Sequence, residues 1–179
     1  TRADVPALGR AEVKVEDLPN FPTGEPYSVL FESDQPIVTT LPTQVFGEEN
    51  SANFSDTAYT RWSFAAGYRP ASGKGVESYL RLFNPSDDIV LVEVTMHFAG
   101  QGSAAGSAET FRYTIDGRSL VAIDLHDLVT GPRRNSPQFY GVTIKAASPI
   151  VAYQGHYDRS FPGSFGTLGT PLGGTNPVA

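Results

Sequence analysis

Val90, Val92, Val94, Met96 and Phe98 fall in one phase of a run whose other phase holds Glu93, Thr95 and His97. Successive side chains of a strand point to opposite faces, so this period of two predicts a strand with one apolar and one polar face. Similar runs recur near 11–16, 27–33, 36–45, 61–66, 77–84, 89–98, 109–116, 119–126, 139–146 and 149–157, separated by Gly, Pro, Asn and Asp. No stretch holds ten residues at helical period. Gly supplies 18 and Pro 14 of the 179 residues, too many for a helical bundle and, without a period, too few for collagen or disorder. The expected class is all-β, an antiparallel β-sandwich of about seven strands with an additional N-terminal half module of about three.

The half module is expected from an internal repeat. Residues 27–38, Tyr-Ser-Val-Leu-Phe-Glu-Ser-Asp-Gln-Pro-Ile-Val, match residues 140–151, Tyr-Gly-Val-Thr-Ile-Lys-Ala-Ala-Ser-Pro-Ile-Val, without a gap. Upstream, Gly9-Arg10 and the residues to Val15 match Gly117-Arg118 and the residues to Ile123; Asp17-Leu18 matches Asp127-Leu128. Pro36 and Pro149 are read as the first residues of strands, where a missing N–H is tolerated. Residues 1–58 therefore read as the back half of a module, 59–162 as a complete one, and 163–179 as a Gly- and Pro-rich C-terminal tail. Three strands alone are not stable. They are expected to pack on the complete module or to borrow strands from another chain.

Charge and composition exclude several functions. Lys and Arg number 13 against 19 Asp and Glu, a net charge of −6, the wrong sign for a phosphate backbone. No apolar run approaches the ~20 residues of a membrane span. With no cysteine, thiolate metal sites, disulfides and cysteine nucleophiles are absent. No catalytic motif is recognisable, and no cofactor is implied. The expected partners are other protein subunits, copies of this chain, or a small polar ligand.

Two same-face pairs, Asp124 with His126 and His156 with Asp158, carry metal-competent groups two residues apart. On neighbouring strands they would form a metal site; otherwise they are polar strand ends. Gln154, His156, Asp158 and Arg159 also suit a polar small molecule, with Arg118 as a carboxylate clamp and Trp62, Tyr68 and Tyr153 as flat apolar walls. The competing reading makes Trp62 and Tyr153 core residues and pairs Arg118 with a surface acid.

The run Trp62-Ser63-Phe64-Ala65-Ala66-Gly67-Tyr68, then Glu77 through Asp87, Gly117-Arg118, Pro149-Ile150-Val151 and His156-Tyr157-Asp158-Arg159 resembles two groups. One is the sensory rhodopsin transducer family. The other is a set of bacterial cell-surface repeat modules opening with Trp-x-Phe-Ala-x-Gly. The resemblance covers about residues 60–165 and the half copy at 10–55. It implies a β-sandwich, often oligomeric, that binds a small molecule or carbohydrate without catalysis. From the resemblance and the half repeat together, a non-catalytic structural or docking module is expected, periplasmic or at the cell surface. The alternatives are a sugar- or organic-acid-binding domain and a cytoplasmic location.

Overall fold

A computed structural model describes residues 2–19, 21–24, 26–45, 48–72, 75–100, 106–159 and 163–173. Among the described residues an extended N-terminal arm, broken by a 3-10 turn at Val15–Asp17, leads into ten strands. They are β1 (Thr40–Val45), β2 (Glu48–Asn53), β3 (Tyr59–Arg69), β4 (Val76–Phe83), β5 (Val90–Phe98), β6 (Ser107–Ile115), β7 (Leu120–Asp124), β8 (Gln138–Asp158), β9 (Gly163–Leu168) and β10 (Thr170–Pro171). A second 3-10 turn, Gly131–Asn135, precedes β8. The described residues contain no α-helix, and every strand pairing is antiparallel.

Strand β8 joins two layers. Its first part lies between β3 and β5, with Ser63 and Thr95 both opposite Thr143. Its second part lies between β4 and β9, with Leu80 and Thr167 opposite Gln154. Strand β6 continues the first layer beyond β5, and β7 continues the second beyond β4. The period-two patterns then close on one core. Trp62 and Phe64 of β3, Leu80 and Leu82 of β4, Val92, Val94 and Met96 of β5, and Val142, Ile144 and Ile150 of β8 share it. Burying such side chains contributes roughly 1.5–3 kcal/mol each before entropy is subtracted.

The runs at 139–146 and 149–157 form one strand rather than two. Pairing with β5 ends at Val92↔Ala146, and pairing with β4 begins at Phe83↔Val151. Pro149 falls between these ladders, where its missing N–H costs no bond. The stretch read as a tail also differs from expectation. Its residues 163–168 pair with β8, and 170–171 pair with β3. Gly169 between them passes close over the core: a Cβ there would lie 2.9 Å from Phe64 Cζ and 3.0 Å from Trp62 Cε3.

The turn after β4 is tied by Asn84, which is fully buried. Its Nδ2 donates to the carbonyls of Asp88, Ile115 and Asp116 at 2.7, 3.2 and 3.1 Å, and its Oδ1 accepts from the Ser86 N–H and hydroxyl at 3.1 and 2.7 Å. One side chain thus locks the β4–β5 turn to the end of β6.

The N-terminal segment corrects the expectation of three strands. Among the described residues before Thr40 there is no strand. The run at 11–16 is extended to Lys14 and then enters the 3-10 turn, that at 27–33 is extended, neither joins a ladder, and only 40–45 of the third does, with β2. Alternation gives a segment a suitable face; a strand also needs a neighbour to take its backbone bonds. The hairpin supplies its own neighbour, and the arm does not.

Candidate functional site

Ser78 occupies an inward position of β4, between Val76 and Leu80, and is fully buried. In register it faces His156 of β8, and its hydroxyl lies 2.8 Å from His156 Nδ1. The imidazole stacks on Phe165 of β9, with ring centroids 5.1 Å apart and planes 21° from parallel. Two residues along the same face of β8, Gln154 is 1% exposed and its Nε2 has no hydrogen-bond partner.

Strand β7 ends at Asp124, whose Oδ1 accepts the His126 backbone N–H at 2.8 Å. That bond turns the chain and folds the His126 ring inward, where it is buried and its Nε2 lies 3.3 Å from the Tyr68 carbonyl. Tyr140 enters from the other half of β8. Its hydroxyl is buried near Ser78, Asp124 and Arg69 but makes no hydrogen bond of good geometry. Arg69 at the end of β3 donates through Nη1 to the Pro70 and Arg134 carbonyls, while its Nε is buried and unpaired. Most buried polar atoms find partners, so three such atoms, on Arg69, Tyr140 and Gln154, mark the polar end of this core as unusual.

Burial sets the protonation states. It lowers the pKa of His126, opposed by the Asp124 carboxylate and the Tyr68 carbonyl and reinforced by Arg69 and His156. It also lowers that of His156, opposed by Asp158. The Tyr140 phenol is pushed up to about 12, chiefly by burial. At neutral pH the site therefore holds two neutral imidazoles and a neutral phenol, a set of donors and acceptors without net charge.

A pH dependence follows. The unfolded chain keeps both imidazoles near 6.5, so below about that pH it binds more protons than the folded chain, and stability falls as pH falls. The thermal midpoint is expected to drop between pH 7.5 and 5.5, above the range where carboxylates titrate. The double variant His126→Gln with His156→Gln should flatten that drop. Equal slopes for both proteins would contradict the assignment.

The predicted site residues separate into two groups. His126 and His156 come together, with Asp124 and Gln154 beside them. Asp124 serves as the turn acceptor described above. Asp158 stands at the end of β8 opposite Val76. Among the described residues no group of three His, Asp or Glu is placed to hold a metal ion, so the Asp124, His126, His156 and Asp158 set does not form a metal centre. Trp62 is 1% exposed, and its indole N–H donates to the Tyr59 and Ile150 carbonyls; it is a core residue with no free face for a ligand. Tyr153 is half-buried on β8, and its hydroxyl crowds Gly166 of β9. Tyr68 is half-buried and packs its ring 4.9 Å from that of Phe139. Arg159 pairs with Glu77. Arg118 precedes β7, whereas His126 follows it, so the two lie at opposite ends of that strand. Arg118 is exposed and pairs with Asp87 at 2.8 Å, which holds the Asp87 carboxyl below its ordinary range. It is not part of the cluster.

Ser78, Tyr140 and Arg69 were not singled out from sequence. A signal existed for Ser78: it interrupts the apolar phase Val76, Leu80, Leu82.

Two solved structures resemble this arrangement. The crystal structure of Thermotoga maritima 1070 superposes with a TM-score of 0.51 at 16% identity, covering 64% of this chain and 96% of that one. The chain shares its fold with that protein. The Anabaena sensory rhodopsin transducer gives a TM-score of 0.40 at 22% identity, covering 55% of this chain and 83% of that one. No protein-family model and no curated protein matches the chain. No helix among the described residues is long and apolar enough to cross a membrane.

Proposed function

We propose that this chain is a non-catalytic structural or docking module, an extracytoplasmic accessory subunit or cell-surface repeat that joins other protein chains through its N-terminal arm. The observation that carries this reading is the arm's exposed apolar surface. Leu30, Phe31, Ile37 and Val38 are 51, 45, 43 and 97% exposed, although they lie within a short stretch of one extended segment. A cluster of that kind suits a surface that another protein covers. The test is the mass, by light scattering, of the particle isolated from its source. It is expected to exceed the mass of a single chain, and Phe31→Asp with Ile37→Asp should weaken assembly at least about tenfold. A monomeric native particle would contradict the reading.

The unpaired atoms of Arg69, Tyr140 and Gln154 favour a second reading, in which the module binds an uncharged polyol or a small organic acid beside Ser78 and His156. A guanidinium, neutral donors and acceptors and an apolar wall together suit such a ligand. Calorimetric titration with simple sugars and small carboxylates tests it, and the absence of heat with all of them counts against it.

A further inference from the structure

The repeat seen in the sequence is continued by the strand register. Carrying forward the offset of 113 that aligns residues 27–38 with 140–151 places β1, 40–45, on residues 153–158. Those residues are the part of β8 that pairs with β9. Both copies therefore end in an antiparallel hairpin beginning at equivalent positions, Thr40↔Asn53 in one and Tyr153↔Leu168 in the other. Beyond that hairpin the equivalence fails: residues 153–158 also pair with β4, whereas β1 pairs with β2 alone among the described residues. Tyr140, Val142, Ile144 and Ile150 are 0–3% exposed in the complete module. Their counterparts Tyr27 and Val29 are half-buried, and Phe31 and Ile37 are exposed. The arm keeps the apolar phase of a core strand but lacks the strands that would flank it. In the complete module those flanking strands are β3, β4 and β5, all supplied by residues 59–98.

We propose that residues 9–53 are the back half of a second module. The arm docks by taking the β8 place in a sheet whose other strands come from a polypeptide segment with the pattern of residues 59–116. This rests on the docking reading and names the partner's chemistry. A second copy of this chain does not fit as that partner, because its β3 and β5 edges already carry its own β8. The partner is a front half that lacks a back half of its own. Main-chain ladder bonds would supply affinity, and the pockets for Tyr27, Val29, Phe31 and Ile37 would supply specificity.

The test gives this chain such a front half. A second copy of residues 59–116 replaces residues 1–8, so that its Asp116 joins Gly9 as Asp116 joins Gly117 in the complete module. Amides within 27–38 are expected to exchange at least about 100-fold more slowly than in the parent chain. Phe31→Asp in the fused chain should remove that protection and leave residues 140–152 unchanged. A second readout uses the absence of cysteine. Thr95 lies opposite Thr143, whose counterpart is Leu30, so Thr95→Cys in the added copy and Leu30→Cys should form a disulfide. That disulfide supports the proposal even in a chain too marginal to slow exchange. Parent-like exchange together with free thiols overturns it. An arm-dependent native particle combined with an unchanged fused chain would retain docking and reject this mode of it.

Discussion

Replacing Trp62 by alanine is expected to cost about 4 kcal/mol of stability. The side chain is 1% exposed, meets Tyr59 edge-on at 5.1 Å and lies beneath Gly169. Its truncation removes apolar burial and opens a cavity that β3, held on both sides by β8 and β10, cannot easily collapse. It also removes the donor that reaches the Ile150 carbonyl at 3.0 Å, just after Pro149. Trp62→Phe keeps most of the volume and loses only the donor, so it should cost about 1–2 kcal/mol. Urea unfolding followed by circular dichroism measures both. A loss below about 1 kcal/mol for Trp62→Ala would mean that the opening Trp-x-Phe segment does not anchor the core.

Gln154→Leu should act in the opposite direction on stability and strongly on binding. Gln154 lies opposite Leu80 on the inward face, and its Nε2 donor is buried without a partner. An apolar side chain of similar size removes that penalty, so the unliganded protein is expected to gain about 1–3 kcal/mol. If a polyol or organic acid occupies the space beside Ser78 and His156, the same change removes one of its donors. Binding should then weaken about 10- to 100-fold, the cost of leaving a ligand group unpaired. Thermal unfolding and calorimetric titration read the two effects separately. A variant less stable than the parent would show that Gln154 is structural, and unaltered binding would move the ligand elsewhere.

The fold was legible where the chain carries its partners within itself. Alternation located β3 to β7, because each apolar phase meets another inside residues 59–158. It split β8 at Pro149, since a proline reads as a strand start; the fold instead spans the proline at the point where β8 changes neighbours. It also placed strands at 11–16 and 27–33, where the apolar phase is real and the neighbours are missing. The sequence carried His126 and His156 as candidates, but His126 turns inward through its backbone bond to Asp124 after β7 has ended, not by strand alternation. It did not carry their meeting with Tyr140 and Arg69, which come from distant parts of β8 and β3. A surface acid was one expected partner for Arg118, but its identity as Asp87 depends on the β6–β7 turn packing on the β4–β5 turn, where Gly117 lies against the Asp87 carbonyl.

In the assembled particle the arm is expected to be a docking strand. Amide hydrogen exchange of residues 27–38, compared between the isolated chain and the particle taken from its source, tests this most directly. In the isolated chain these amides should exchange rapidly, as exposed and unpaired backbone does. In the native particle the amides of this stretch should be protected on both sides, to the level of residues 140–146, which lie between β3 and β5. Rapid exchange throughout 27–38 in a particle that contains other chains would contradict the account, because assembly would then proceed without the arm.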